Sequence, residues 1–405
     1  MNSTTLSKPG RFRFKSRLAG FFLFLCLLSC QEPPTEEQRL LQRAATDGNA
    51  ASELAIRRLA ADDLPSALDW WRAAAVLNAE GALQHALMLQ QRLEGKRSTA
   101  QWLAAQVQVD ASMLQPLPAA LLAELGFWQH SVLAVQPEPQ QCQLNIQPVV
   151  ATAAAERSYR QLHQHWQQDP QLASLPVCFL PVLRIHAAVL NCSEQPGQRI
   201  QCDYRRLGHR VQQGQFQQLL IIGGRGVASF NNGIMQLPEQ ADLALLRHEF
   251  LHIAGFLDEY ALAPVAARMV CKAGRIAPNL LVGDDNSTLQ RYLQRYPAAA
   301  ATLELTPVDT CQAVGIPAYR PIATLNSMRH YEADLPPLYL TLLQQELTQS
   351  ERLMPVQYYF AYLARQNEAW QQWYSYMQLA ADFGYPPAIQ ALASLAPEQP
   401  TESGD

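Results

Sequence analysis

From Gln38 to about Ala134, apolar positions recur three and four apart in an alanine- and leucine-rich run, interrupted at DGN (47–49), DDLP (62–65) and LEGK (93–96). A period near 3.6 broken by turn formers predicts short antiparallel helices. In ALDWWRAAAVLNAEGALQHAL (67–87), Ala67, Ala74, Ala75 and Ala82 are small enough to let helices approach, and Trp71 fills the gap between them. Near the other end, WYSYMQLAADFGYPPAIQALASL (373–395) repeats that order with an aromatic pair, Ala380 and Ala381, Gly384 and Ala388. Between the linkers VQPEPQQ (135–141) and LMPVQ (353–357) the pattern changes. QLNIQPVVAT (143–152), VCFLPVLRI (177–185) and QQLLIIGG (217–224) read as strands, and AAERSYRQLHQHWQQ (154–168) as a helix. GVASFNNGIMQLP (226–238) is extended and glycine-broken, and LALL (243–246) opens a further helix. The middle of the chain is therefore expected to be α+β, a mixed sheet with helices, flanked by α-helical segments.

The first 29 residues carry Lys8, Arg11, Arg13, Lys15 and Arg17 and no acid, followed by a 12-residue apolar run from Leu18 to Ser29. That run is short for a bilayer span and reads as an export signal. Its end, LLSC, resembles the lipobox of bacterial lipoproteins, which implies cleavage before Cys30 and acylation of that residue. The expected product is an exported chain anchored to a membrane by lipid, at the outer membrane if the host has two, because Gln31 is not aspartate. Without the signal the formal charge moves from −4 to −9, with 26 basic against 35 acidic residues, which argues against a nucleic-acid partner. Cys142, Cys178, Cys192, Cys202, Cys271 and Cys311 form an even set without a CxxC pair, as expected for disulfides in an oxidising compartment. Cys192 and Cys202 are near enough to clip one hairpin; spacing does not settle the connectivity.

The chemistry concentrates in HEFLHIAGFLDEY (248–260). Histidines at i and i+4 lie one turn apart on one helix face, so His248 and His252 can converge on one ion. Glu249, beside the first histidine, can take a proton from a water and pass it to a leaving amine. Gly255 allows a left-handed helix end, and Asp258 falls six residues past His252.

The extended pattern HExxHxxGxxD resembles the metzincin clan, with aspartate as third ligand as in snapalysin-like secreted proteases. DEY after the glycine is similar to the IgA-peptidase-like metallopeptidases, which place their acid pair one residue later, so either Asp258 or Glu259 is the third ligand. The resemblance covers 143 to 350 and implies a zincin-like domain with one zinc ion per chain. It also implies that Glu259 and Tyr260 orient the ligands, that Met328 in NSMRHYEADLPPLYLTLLQQEL (326–347) forms a methionine turn, and that Tyr331 donates to the developing oxyanion. In that clan an edge strand pairs with substrate, and 226–238 occupies its place.

Both terminal helical segments resemble Sel-type tetratricopeptide-like repeats, which implies either a protein-binding surface or plain packing. So few copies cannot stack into an independent solenoid, so they are expected to dock on the central domain or on each other. The expected organisation is a signal segment 1–29, a helical repeat region 30–135, a zinc metallopeptidase-like domain 142–350, a C-terminal helical repeat 354–396 and a disordered tail 397–405. The expected function is a zinc-dependent endopeptidase of the cell envelope acting on protein or peptide. Two rivals are a non-catalytic envelope scaffold with a structural or vestigial metal site, and a zinc amidase acting on the cell wall.

Overall fold

The computed structural model describes residues 34–128 and 142–395. The signal segment 1–29, Cys30, the linker 135–141 and the tail 397–405 lie outside the described residues. The chain divides into two compact units at Leu89/Gln90.

In the first unit each helix start carries its own stop signal for the preceding turn. Thr35 and Gln38 cap α1 (Glu36–Ala44) reciprocally, Asp47 caps α2 (Gly48–Ala60), and Asp63 caps α3 (Leu64–Val76). Ala51, Ala55, Ala67 and Ala74 are fully buried, so α2 and α3 approach closely, and Trp71 stacks on His85 at 4.6 Å. The helix α4 (Ala82–Val109) begins in this unit and is broken at Gly95, whose φ of 86° is left-handed.

The division at 89/90 differs from the expected boundary at 135, and the residues after the break explain it. Lys96 Nζ lies 3.3 Å from Glu124 and 2.9 Å from Glu239, and Arg97 Nε donates to Asn191 at 2.6 Å. The Glu194 carboxylate fills the space that a Cβ at position 95 would need. These ties join the second half of α4 and α5 (Ala119–Glu124) to the sheet domain.

The main sheet starts with β1 (Leu144–Val150), followed by α6 (Ala153–Gln168), which Thr152 caps. The expected strand at 177–185 is two short strands, β2 (Val177–Phe179) and β3 (Leu183–Arg184), both parallel to β1. Pro181 lies between them and has no N–H for the ladder. After α7 (Ala187–Leu190), β4 (Glu194–Arg199) and α8 (Gly208–Gln213) comes β5 (Gln218–Ile222), buried along its whole length. Burial on both faces matches its uninterrupted apolar sequence.

The segment expected to be extended resolves into β6 (Arg225–Val227), β7 (Ser229–Asn231) and β8 (Ile234–Leu237). β7 and β8 form a hairpin turned by Asn232 and Gly233, at φ 53° and 81°, the Asn-Gly signature of a tight reversal. The sheet order is β2-β1-β5-β8-β7, parallel except at the edge strand β7, while β6 leaves it to pair with β4. The helix carrying the histidines, α9 (Leu243–Leu251), is capped by Asp242 and packs against α6, where Trp166 meets Phe250 edge-on at 4.9 Å.

Beyond α9 lie α10 (Pro264–Val270), β9 (Ile276–Ala277), β10 (Leu280–Val282), α11 (Asn286–Arg295), β11 (Thr306–Pro307), β12 (Ala318–Arg320) and α12 (Pro337–Leu347). The four strands form a small antiparallel sheet, β11-β12-β10-β9. The C-terminal helices α13 (Val356–Gln366), α14 (Trp370–Asp382) and α15 (Pro386–Ala393) belong to the same unit. Val356 N–H donates to Gln217 O, and Tyr376 donates to Gly208 O, tying them to β5 and α8.

Three disulfides join Cys142 to Cys178, Cys192 to Cys202 and Cys271 to Cys311. The first links β1 and β2 near their paired ends, the second closes the loop that carries β4, and the third holds α10 to the segment before β12.

Candidate metal centre

Because α9 is surrounded, His248 and Glu249 are buried although both are polar. His248 gives its Nδ1 to the carbonyl of Ser327 at 2.8 Å, and His252 gives its Nδ1 to the carbonyl of Phe256 at 2.9 Å. A carbonyl can only accept, so each Nδ1 carries a proton, and in the neutral imidazoles each Nε2 presents a lone pair.

The chain then has to return to those two atoms. α9 ends in a 3-10 turn, His252–Ala254, and Gly255 at φ 82° reverses the backbone. No atom lies within 4 Å of a Cβ built there, so conformation rather than space demands glycine. The return brings Asp258 Oδ1 to 3.3 Å from His248 Nε2 and 3.4 Å from His252 Nε2. That oxygen is buried and has no hydrogen-bond partner.

Two nitrogen lone pairs and a carboxylate oxygen therefore gather within 4.8 Å of one another, the one such group among the described residues. Two imidazole nitrogens and a carboxylate oxygen are a donor set that could hold a divalent cation. The three side chains keep 8%, 17% and 15% of their surface exposed, so the site opens to solvent on one side. Burial lowers the affinity of His252 for a proton, but the Asp258 carboxylate outweighs it and pushes the imidazole up to about 9. Burial likewise raises Asp258, and the two imidazoles more than reverse this, holding it below the usual carboxylate range.

Glu249 makes no hydrogen bond or ion pair among the described residues. Burial pushes its carboxyl above the ordinary value, against the opposing pull of His252 and His248. A buried carboxyl of raised pKa beside an opening is suited to accept a proton and give it back.

Glu259, the neighbour of Asp258, is fully buried and turned to other company. Its Oε1 accepts from Tyr339 at 2.6 Å and Asn279 at 3.0 Å, and its Oε2 from Asn326 at 2.8 Å and Arg320 at 3.4 Å. Its backbone N–H donates to Met328 O, and its carbonyl accepts from Arg329 at 2.7 Å. Glu259 thus clamps the Asn326–Met328 turn, the turn whose Ser327 carbonyl orients His248. Met328 is fully buried there.

Tyr260 is exposed at the surface, and the Asp258 carboxylate acts on its hydroxyl. Burial and that carboxylate both raise it above its ordinary value. Tyr331 also sits at the surface, raised above its ordinary value mainly by Glu332, then by burial, then by Asp242, which caps the end of α9 remote from His252. Of the two tyrosines, Tyr260 is the one on which the Asp258 carboxylate acts.

Sequence reading did not single out Asn279 or Thr310. Asn279 bonds both the N–H and the carbonyl of Leu257, at 2.9 and 2.7 Å, and Thr310 donates to the Asp258 carbonyl at 2.7 Å. Both hold the bend that delivers Asp258. Neither belongs to a recognisable pattern, and both reach the bend only through the fold.

No protein-family model, curated protein or solved structure matches the chain.

Proposed function

We propose that the chain is a zinc-dependent endopeptidase, exported and held at the cell envelope by a lipid on Cys30, with His248, His252 and Asp258 as the metal ligands. One observation carries this reading: Asp258 Oδ1 is buried, has no hydrogen-bond donor, and faces two imidazole nitrogens whose protons are already committed elsewhere. Such a set of electron-pair donors is completed by a cation.

When bound, zinc supplies Lewis acidity, which makes a water more acidic and polarises the carbonyl of the scissile bond. The chain's residues supply the rest. Glu249 accepts a proton from the attacking water and returns it to the nitrogen of the leaving amine. Tyr260 offers a hydroxyl beside Asp258 for the oxygen that gains charge. The edge strand β7 leaves one side unpaired within the sheet, next to α9, and an extended peptide can add there as a further antiparallel strand.

The mixed sheet, its antiparallel edge beside the histidine helix, the glycine reversal and the buried methionine turn together support a metzincin-like fold. Three disulfides support an oxidising compartment. The helices at the two ends would brace the enzyme or present it to a protein partner.

The test is hydrolysis of a mixed peptide library by the zinc-loaded protein, with and without chelator, beside Glu249→Gln. Chelator-sensitive cleavage that Glu249→Gln abolishes while zinc stays bound is expected. Absence of such cleavage, or cleavage undiminished in the variant, contradicts the proposal; release from cell-wall amides instead would favour an amidase.

A further inference from the structure

A cleft of about 530 Å³ opens between the β7–β8 hairpin, the loop following β4 and the helix α13. Arg199 and Arg205 line it together with Asn231 and Asn232 of the hairpin turn and Tyr359 of α13. Tyr359 is held there by a 3.0 Å hydrogen bond between its hydroxyl and that of Tyr204. The Cys192–Cys202 disulfide fixes the loop, and the pairing of Arg199 with Val227 sets that arginine beside the strand leading into β7.

The charge of this cleft is out of balance. Its acid, Asp203, is engaged by Arg206 Nε at 3.3 Å. Neither Arg199 nor Arg205 has an ion pair or hydrogen bond to its guanidinium among the described residues. Two unmatched guanidiniums beside asparagine amides form a donor-rich surface that suits a planar anion with two acceptor oxygens. The cleft also lies next to the metal cluster: α9 packs on β7 and β8, and the positive charge of Arg199 acts on both Glu249 and Tyr260.

We infer that this cleft is a specificity subsite for a carboxylate of the substrate peptide, with Arg199 and Arg205 as its anion-binding pair; this rests on the peptidase reading above. A peptide laid along β7 passes the metal cluster and the cleft together. The carboxylate comes either from an acidic side chain or from the peptide's C-terminus. The α13 helix, outside the expected catalytic segment, thereby contributes Tyr359 to the lining of the cleft.

Two readouts test this on the full chain. The first compares cleavage by the zinc-loaded protein of matched peptides bearing glutamate or glutamine at one position, each with a free or amidated C-terminus. The second measures binding of the same peptides to zinc-loaded Glu249→Gln by fluorescence anisotropy, which needs no turnover. The expected result is at least about a tenfold preference for a carboxylate, worth about 1.4 kcal/mol. Arg199→Ala/Arg205→Ala should bring the acid-to-amide ratio near one, and Arg199→Lys/Arg205→Lys should retain part of it. Using a ratio cancels any loss common to all substrates. Preference surviving in glutamate peptides with amidated ends assigns a side chain; preference lost on amidation assigns the terminus. Equal treatment of acid and amide, or a preference unchanged in the alanine variant, overturns the inference even if cleavage is chelator-sensitive. Carboxylate-selective, arginine-dependent binding without any cleavage would sustain the anion cleft and defeat the peptidase reading.

Discussion

The bend after Gly255 delivers two adjacent carboxylates to contrasting surroundings. Glu259 meets four donors, from Tyr339, Asn279, Asn326 and Arg320, and is closed off from solvent. Asp258 meets two imidazole nitrogens that, in their neutral forms, have no proton to offer it, and one of its oxygens has no hydrogen-bond partner. A carboxylate surrounded by protons is a structural anchor, and one surrounded by lone pairs is half of a cation site. Identity and position in the chain do not distinguish the two; the hydrogen atoms around them do.

Glu249 sharpens this contrast most, because it is a buried carboxylate with neither donors nor a ligand's place. Glu249→Gln should lower kcat by about 10²- to 10⁴-fold, the usual worth of general acid–base catalysis, while zinc content stays at one per chain. Steady-state kinetics beside metal analysis checks it. Equal losses of zinc and activity would make Glu249 part of the binding site instead.

Glu259→Ala removes the acceptor of three buried donors, on Tyr339, Asn279 and Asn326, and of the part-buried Arg320 Nη1. It should cost about 3–5 kcal/mol of folding stability, measured by urea unfolding of the metal-free protein. Asp258→Ala should cost far less in the same experiment. Comparable losses would erase the distinction between anchor and ligand.

Asn279→Ala releases the backbone of Leu257, so the bend should present Asp258 less rigidly. Zinc affinity should fall about 10- to 100-fold, as when an outer hydrogen bond to a ligand is lost. Competition with a chromophoric chelator reads this directly.

The smallest effect is expected at Glu156, a carboxylate remote from the bend, held by Arg184 at 2.9 and 2.8 Å and by Arg160. Burial raises its pKa, and the arginines more than offset this, leaving it below its ordinary 4.5. A lowered folded-state pKa means stability present above pH 4.5 and lost as pH falls toward the folded value. Glu156→Gln should therefore cost about 1 kcal/mol at neutral pH, with the gap to wild type closing in acid. A constant gap in unfolding midpoints from pH 7 to 3 would contradict this.

How much of this could be read along the chain depends on how local each feature is. His248, His252 and Asp258 come from one helix and its return, so spacing alone names the three residues whose ligand atoms gather. Gly255 is legible because the reversal needs positive φ. By contrast, the choice between Asp258 and Glu259 rests on Asn279, Asn326 and Tyr339, which are 20, 67 and 80 residues from Glu259. In the fold, long apolar runs such as 217–224 marked the central strand, but β9 to β12 span two or three residues each and show no alternation. LEGK at Gly95 signals a turn between helices, whereas the partners of Lys96 and Arg97 decide which unit the following segment joins.

The central claim is best tested by the zinc stoichiometry and X-ray absorption spectrum of the purified chain, in wild type and in Asp258→Ala. The account predicts one zinc per chain, held by two imidazole nitrogens and oxygen donors without sulfur, and loss of stoichiometric zinc in the variant. Failure of the wild type to hold zinc, or an unchanged coordination shell in Asp258→Ala, would contradict it.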